Sequence, residues 1–165
     1  MRYRPLFVQT FKLYSPRKRE DAEKLNFKYK SYEEITDIHD RMRWCRHSSG
    51  LMQKEVAAHI GIPESQYTDY ETGYAVCIPK ETADRLAALY NIPVDDLLDD
   101  YNRFLYYGQR QALLSHRQKL NLKKKPYARM LDVEPNLYRM WEAEKKQVSR
   151  KSWEKYLKVH FTVSP

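Results

Sequence analysis

The sequence predicts an all-α protein, and three observations support this prediction. Glycine is scarce, with four residues in 165, whereas the strong helix formers Leu, Lys, Glu, Arg and Ala are plentiful. Apolar residues recur at helical spacing, as in Ile38, Met42 and Cys45 at i, i+4 and i+7. Hydrophobic residues make up 42% of the chain, which is enough for a packed core.

Residues 35–100 form the first of two predicted domains and contain five predicted helices. The first helix ends near Gly50, and MQKEVAAHI forms a second helix that ends at Gly61. A third helix begins after Pro63 and ends at Gly73. KETADRLAALYN forms a fourth, and IPVDDLL begins a fifth with a proline before it and two aspartates in its first turn.

Residues 101–165 form the second predicted domain, because the chain matches itself at an offset of 71 residues. GLMQKEVAAHIGIPESQYTDYETG aligns with NLKKKPYARMLDVEPNLYRMWEAE, and the apolar pattern persists where identity fails. Arg46 aligns with Arg117, and Glu71 aligns with Glu142. Three glycines at helix ends align with other residues: Gly50 with Asn121, Gly61 with Asp132 and Gly73 with Glu144. Glu tolerates the left-handed backbone region poorly, so the second domain is expected to be less regular after its third helix.

The stretch between the two repeats, VDDLLDDYNRFLYYGQRQALLSHRQKL, has Gly108 as its only helix breaker. It is compatible with two helices that meet at Gly108, or with one long helix, continuous or kinked. An apolar face that continues through Leu105, Tyr106, Leu113 and Leu114 favours the long helix as a connection between the domains.

Residues 1–34 form a basic N-terminal extension. LFVQTFKLY and NFKYKSY are rich in aromatic residues, so a β-hairpin is compatible with them, with the charged SPRKREDAEK as its turn. An irregular basic arm is the alternative.

The net charge of +8 is divided unevenly along the chain. Residues 1–34 carry nine Lys and Arg against five Asp and Glu, residues 35–100 carry six against twelve, and residues 101–165 carry fifteen against five. The three segments therefore have net charges of +4, −6 and +10. A strongly basic segment is typical of proteins that bind polyanions such as nucleic acids.

The stretch from about Ile35 to Leu98 resembles the Cro/phage-repressor type of helix-turn-helix domain, which is lambda-repressor-like in fold and is also called the XRE family. The resemblance rests on Gln53 at the start of the second helix, Ala57 within it and Gly61 at the turn, followed by YETG and IPVDDLL. It implies a fold of five helices.

The stretch from about Gln109 to Lys158 resembles a divergent member of the same family. It retains Ala128, Leu131 and the segment SRKSWEKYL, but it lacks the glycine at the turn. Pro126 in its second helix is tolerated because it lies in the first turn. The resemblance implies two tandem helix-turn-helix bundles.

In this family the third helix enters the major groove, while the start of the second helix and the loop after the third contact phosphates. For the first domain the resemblance places Gln53 at a phosphate and Glu64, Ser65, Thr68 and Asp69 in the groove. For the second domain it places Lys123 and Lys124 at phosphates, Asn136, Arg139 and Met140 in the groove, and Lys145 and Lys146 at the flanking DNA backbone.

Side-chain chemistry favours the second domain as the stronger DNA-binding surface. Asn and Arg read adenine and guanine with paired hydrogen bonds. A cluster of lysines at the start of a helix is unfavourable beside the helix dipole unless an anion lies there, although a solvated lysine face is the alternative. In the first domain, by contrast, phosphates would repel Asp69.

No catalytic residue, metal site or cofactor is expected. The five histidines lack ligand spacing, Cys45 and Cys77 lack CxxC spacing, and no phosphate loop, dinucleotide fingerprint or nucleophile elbow is present. The sequence also has no long apolar run and no signal-peptide pattern, so a cytoplasmic protein without a membrane partner is expected.

These observations predict a sequence-specific transcriptional regulator that binds double-stranded DNA. Two domains on one chain could cover adjacent half-sites, and a homodimer is also compatible with the sequence. The alternative is an antitoxin-like or scaffold module in which the acidic first domain binds a protein partner. RNA binding has weaker support, because no RNA-recognition signature is present.

Overall fold

The computed structural model describes the backbone of residues 16–161 and the side chains of residues 20–161. Within this range every regular element is helical, which confirms the all-α prediction. The chain divides into two compact units, the first unit Met1–Leu98 and the second unit Asp99–Pro165. Among the described residues, no helix has the length and apolar character that crossing a bilayer requires.

The described part of the first unit contains five α-helices. They are α1 (Pro16–Lys28), α2 (Ile38–Ser48), α3 (Gln53–Ile60), α4 (Glu64–Thr72) and α5 (Lys80–Tyr90), with 3-10 turns at Tyr32–Glu34 and Val94–Leu97. Helix α2 begins after Asp37, whose carboxylate accepts hydrogen bonds from the backbone N–H groups of His39 (2.9 Å) and Asp40 (2.8 Å). The segment IPVDDLL forms a 3-10 turn, which is shorter than the fifth helix predicted there.

The core of the first unit holds α3 and α4 against each other and against α2 and α5. Its buried members are Met42, Val56, Ala57, Ile60, Tyr67, Tyr70, Leu86, Ala87 and Leu97. Burial of each large apolar side chain contributes about 1.5–3 kcal/mol. The turn between α3 and α4 therefore connects two helices whose inner faces are fixed by packing.

The charged segment predicted as the turn of a hairpin is instead part of α1. Its buried face and the residues that follow form a small cluster with α2: Ala22, Leu25, Tyr29, Ile35 and Trp44. Asp40 on α2 accepts hydrogen bonds from Lys28 (2.7 Å) and from the Tyr29 hydroxyl (2.8 Å). The strand predicted for NFKYKSY is therefore wrong, because a helix end and a 3-10 turn occupy it. The strand predicted for LFVQTFKLY lies outside the described residues.

In the described part of the second unit, too, every regular element is helical. Its elements are α6 (Asp100–Tyr106), α7 (Gln109–Lys119), α8 (Lys124–Met130), α9 (Pro135–Glu142), α10 (Arg150–Ser152), a π-helical stretch (Trp153–Leu157) and α11 (Lys158–Phe161). Its largest fully buried side chains include Trp141, Trp153, Tyr127 and Tyr138.

The long helix predicted between the domains is interrupted at Gly108. Helix α6 ends at Tyr106, α7 begins at Gln109, and Gly108 has a φ of 97°, which an α-helix does not contain. The prediction of one continuous helix is therefore wrong, and the alternative of two helices that meet at Gly108 is correct.

The helices of the two units occupy matched positions in the chain, at the offset of 71 residues found in the sequence. Helix α2 corresponds to α7 at both of its ends. Helices α3 and α4 begin at Gln53 and Glu64, and α8 and α9 begin at the matched Lys124 and Pro135. Helix α5 corresponds to the stretch that α10, the π-helical residues and α11 cover together.

Left-handed backbone positions also recur at this offset. The φ angles of Gly50, Gly61 and Gly73 are 67°, 71° and 80°, and those of Asn121, Asp132 and Glu144 are 50°, 57° and 55°. A residue with a Cβ pays roughly 1–2 kcal/mol for this conformation unless, like Asn or Asp, its short polar side chain compensates locally. Glu144 is the least suited of the three and therefore carries the largest backbone strain.

Replacing Glu144 with glycine is expected to stabilise the second unit by about 1 kcal/mol, because glycine adopts a positive φ without the steric cost. The measurement is a urea titration followed by the indole N–H resonances of Trp141 and Trp153, which report on the second unit. The matched control is Ala143→Gly, one residue earlier at a φ of −90°, which is expected to destabilise the unit. Equal effects of the two glycines would contradict the assignment of strain to Glu144.

Candidate nucleic-acid interface

The predicted groove residues of the first unit lie on the outer face of α4. Glu64, Ser65 and Asp69 are exposed, and Thr68 is half-buried with its hydroxyl donating to the carbonyl oxygen of Glu64 (3.0 Å). The opposite face of the helix carries the buried Tyr67, Tyr70 and Glu71. The outer face is thus accessible to a ligand, and its two ionisable side chains are both carboxylic acids.

Glu71 belongs to the interior of the first unit and not to this outer face. Its carboxylate accepts hydrogen bonds from Arg46 Nε (2.6 Å) and Nη2 (3.1 Å), and from the Tyr67 hydroxyl (2.7 Å). The Arg46 and Glu71 side chains are 5% and 1% exposed. Burial disfavours the charged guanidinium, but the bonds to Glu71 outweigh this and raise the pKa of Arg46. This ion pair fixes the end of α4 to α2.

Gln53, the predicted phosphate contact of the first unit, is attached to the same carboxylate. Its Nε2 donates to Glu71 Oε2 at 2.7 Å, and the side chain is half-buried at the start of α3. The network therefore links the beginning of α3 to the end of α4, with no net charge: one guanidinium, one carboxylate and one neutral amide.

The loop after α4 exposes apolar side chains. Tyr74 is 83% exposed and Val76 is 56% exposed, and the loop residues between Gly73 and Ile78 include no Lys or Arg. A flanking phosphate would find no cation here. The outer face of α4 and this loop together form an acidic and apolar surface.

The matched surface of the second unit is cationic. Asn136 and Arg139 are exposed and Met140 is half-buried on α9, whose opposite face carries the buried Tyr138, Trp141 and Glu142. Among the described residues, no side-chain hydrogen bond or ion pair engages Asn136 or Arg139. Both side chains are therefore available to a ligand, and they are the two types that read purine edges with paired hydrogen bonds.

Lysines lie at both ends of this surface. Lys123, Lys124 and Lys125 are exposed at the start of α8, and Lys145 and Lys146 are exposed in the segment 144–148 after α9, the lysine loop. These five residues correspond, at the offset of 71, to Met52, Gln53, Lys54, Tyr74 and Ala75 of the first unit. The basic surface comprises Lys123, Lys124, Asn136, Arg139, Met140, Lys145 and Lys146, all of them predicted from the sequence.

A partly buried ion pair supports the basic surface. Glu142 accepts from Arg117 Nε (3.2 Å) and Nη2 (3.1 Å), and Lys124 Nζ lies 3.1 Å from the same carboxylate. Burial raises the pKa of Glu142, but the favourable interactions of its carboxylate with Tyr138, Arg117 and Lys124 outweigh this and hold the pKa below its usual value. Lys124 replaces the neutral Gln53 in the matched network, so the network of the second unit has a net charge of +1. The Lys124 side chain is 53% exposed, which leaves its ammonium group within reach of a further anion.

Two histidines, His39 and His116, join helices, and the ring of His116 also lies beside that of His160, with centroids 5.7 Å apart. His39 Nδ1 donates to the carbonyl oxygen of Tyr70 (2.7 Å), and His116 Nδ1 lies 2.6 Å from the Tyr127 hydroxyl. Burial lowers the pKa of His116, with a further contribution from His160 and Lys119. Within residues 20–161, no group of three His, Cys, Asp or Glu side chains is arranged to hold a metal ion.

Sequence reasoning missed the residues that support these surfaces. Arg117 and Glu142 had a sequence signal, since an oppositely charged pair recurs at the offset of 71 residues as Arg46 and Glu71. Gln109 had a weaker signal: it is a polar residue where the first domain has Ile38. It is buried, and it hydrogen-bonds to the lysine loop.

Comparison with known proteins identifies one part of the chain. Residues 40–100, which span most of α2 and all of α3 to α5, match the family model of a helix-turn-helix domain. Searches of curated proteins and of solved structures give no match. The first unit therefore contains a helix-turn-helix domain, a module that in general binds DNA.

Proposed function

We propose that this chain, whose residues 40–100 form a helix-turn-helix domain, is a sequence-specific transcriptional regulator of the XRE type that binds double-stranded DNA and has no catalytic activity. The observation that carries the proposal is the basic surface of the second unit, where Asn136 and Arg139 lie exposed on one helix with lysines on either side. Exposed purine-reading side chains between cations are the combination that specific DNA recognition requires.

The proposal includes a second helix-turn-helix in the second unit. Three features support it: the helices recur at an offset of 71 residues, the buried Arg–Glu pair recurs, and the left-handed positions recur. Two such modules on one chain would cover adjacent half-sites as a pseudo-dimer. A homodimer would cover four, and the molar mass of the free chain in solution distinguishes the two arrangements.

In this proposal the two units contribute differently to DNA binding. The second unit supplies most of the electrostatic affinity, because its surface carries lysines where the first unit has neutral or apolar residues. The first unit contributes base contacts through Ser65 or Thr68, or a cytosine contact through Glu64. Asp69 opposes phosphate binding, so Asp69 limits the affinity of the first unit for DNA.

Arg139 and Lys124 are expected to contribute to DNA binding in different ways. Arg139→Ala should cost about 1–3 kcal/mol on the preferred site and little on other sequences, because a bidentate base contact is lost. Lys124→Ala should weaken binding to all sequences and reduce the slope of log K against log salt by about 0.9, because one phosphate contact is lost. The effects of both variants are measured as affinities over a salt series, for a duplex selected from a random pool and for a scrambled duplex.

The same selection tests the proposal as a whole. Retention of a defined duplex from the pool at low salt is expected. If the folded wild-type chain retains no duplex, DNA binding is not its function. If Arg139→Ala lowers the affinity for the selected duplex and for the scrambled duplex by the same factor, Arg139 does not read a base.

A protein-interaction module, antitoxin-like or scaffold in kind, is the second candidate function. The acidic and apolar surface of the first unit favours it, because Glu64 and Asp69 lie on the same module as the exposed Tyr74 and Val76. A stoichiometric partner that persists after nuclease treatment, and that Tyr74→Ala releases while Lys124→Ala does not, would support this function.

A further inference from the structure

A buried glutamine and a buried tyrosine hold the lysine loop of the second unit. Gln109, the first residue of α7, donates from Nε2 to the carbonyl oxygens of Trp141 and Lys146, both at 2.9 Å. Its Oε1 accepts from the backbone N–H of Val148, also at 2.9 Å. The Tyr101 hydroxyl donates to the carbonyl oxygen of Val148 at 2.9 Å. Gln109 is 7% exposed and Tyr101 is 3% exposed, so little water competes for these bonds.

The chemistry of the loop requires a primary amide at this position. An amide offers two N–H donors and one carbonyl acceptor. It meets the carbonyl oxygen of Trp141 in α9, and the carbonyl oxygen of Lys146 and the N–H group of Val148 in the loop. A carboxylate in the same place would face two carbonyl oxygens, and an aliphatic side chain would leave the buried N–H of Val148 without a partner. The matched residue of the first unit is Ile38, which has no hydrogen-bonding side-chain group. The hydrogen bonds of Gln109 and Tyr101 to this part of the second unit, here called the clamp, therefore belong to the unit whose loop carries lysines.

The held segment contains both cations of the loop. Lys145 and Lys146 lie between Trp141 and Val148, the two outer residues that Gln109 engages. The loop starts at the left-handed Glu144, and the backbone N–H of Lys145 donates to the carbonyl oxygen of Met140 at 2.9 Å. The loop is thus fixed to α9 at its start and to the buried Gln109 and Tyr101 at its end, while its two lysine side chains are exposed.

We infer that Gln109 is a positioning residue for contact with the DNA backbone: it holds the lysine loop in place so that Lys145 and Lys146 meet phosphates without further ordering of the chain. The inference rests on the proposed function and names a residue that acts through the two lysines. Ordering one backbone residue on binding costs about a factor of ten in the equilibrium constant, so a loop ordered in advance binds more tightly.

The test is a double-mutant cycle in the full chain. Gln109→Met removes the three hydrogen bonds at similar volume, and its affinity for a random-sequence duplex pool is compared in two backgrounds, wild type and the Lys145→Gln/Lys146→Gln chain. We expect Gln109→Met to lower the affinity by about tenfold in the wild-type background. In the background without the lysines it should lower the affinity by less than about twofold, because the phosphate contacts that Gln109 supports are already absent there. Gln111→Met on the exposed face of the same helix is the matched control and should change neither value.

Hydrogen exchange at Val148 reports independently on the hydrogen bond between Gln109 and the loop. The Val148 amide should exchange with deuterium faster in Gln109→Met than in wild type, because its hydrogen-bond acceptor is gone. If Gln109→Met does not fold, Tyr101→Phe replaces it in the double-mutant cycle, because it removes only the hydrogen bond from the Tyr101 hydroxyl to the carbonyl oxygen of Val148.

Four outcomes would overturn the inference. An equal loss of affinity in both backgrounds would mean that Gln109 supports the unit in general, and an unchanged affinity would mean that the loop needs no clamp. Unchanged exchange at Val148 would mean that the bond is not formed. A wild-type chain that binds no duplex at all would reject the proposed function, and with it this role of Gln109, whereas a wild-type chain that binds duplex and fails the cycle rejects the role of Gln109 alone.

Discussion

Glu71→Ala is expected to destabilise the first unit by about 3–5 kcal/mol, the cost of leaving a buried charge without its partner. The Glu71 carboxylate accepts four hydrogen bonds, from Arg46, Tyr67 and Gln53. Without it the guanidinium of Arg46, which is 5% exposed, loses the carboxylate that neutralises its charge. The free energy of unfolding is measured by urea titration of the Trp44 indole resonance, which reports on the first unit.

Glu142→Ala is the matched control, and its effect on the second unit should be smaller. Arg117 is 15% exposed and Lys124 is 53% exposed, so water can solvate both cations after the carboxylate is lost. A double variant, Arg46→Met/Glu71→Leu, should regain much of the stability lost in Glu71→Ala, because no unpaired buried charge remains. If Glu71→Ala costs no more than Glu142→Ala, the difference in burial does not control the strength of these pairs.

Lys124→Gln/Lys145→Gln/Lys146→Gln is expected to lower DNA affinity by about 500-fold at about 0.1 M salt. Each lost phosphate contact lowers the slope of log K against log salt by about 0.9, so three contacts lower it by about 2.7. The factor of about 500 follows if these contacts contribute nothing at about 1 M salt, where the counterion effect vanishes. Affinity for a random-sequence duplex pool over a salt series gives both quantities.

A second triple variant separates the position of the charges from their number. The variant Lys151→Gln/Lys155→Gln/Lys158→Gln removes the same charge from the stretch of α10 to α11. These three lysines are exposed and are not part of the basic surface. The slope of log K against log salt should fall by less than about 0.9, the value for one phosphate contact, because these three lysines are not among the residues proposed to contact phosphates. Equal losses in the two triple variants would mean that net charge, and not the basic surface, determines binding.

Local features of the sequence predicted the helices and several of their ends. Gly61 and Gly73 were placed at helix ends from the spacing of apolar residues around them, and both have a left-handed backbone. The repeat offset of 71 residues also carried this expectation to Asn121 and Asp132, where no glycine is present. Helix periodicity and turn chemistry depend on neighbours within a few residues, so one sequence is enough to recognise them.

Two predictions failed because the local apolar pattern did not contain the information that decided the structure. The charged segment at the start of α1 has few apolar residues, and it is helical because Ala22 and Leu25 find partners on α2. The apolar face that continued across Gly108 favoured one helix, but the backbone of Gly108 ends α6 there. In both cases the decisive contacts involve residues that are far apart in the sequence, or a backbone angle that apolar spacing does not encode.

The sequence by itself determined which residue types lie on each outer helix face, and hence that the second unit is basic where the first is acidic and apolar. This follows because helical spacing assigns each residue to the inner or the outer face. Only the tertiary structure decided which polar residues support these surfaces: Glu71 and Glu142 inside their ion pairs, Lys124 beside Glu142, and Gln109 against the lysine loop. These partners lie 18 to 39 residues apart in the chain. Their pairing depends on how the helices pack, which the spacing of residues along one helix does not specify.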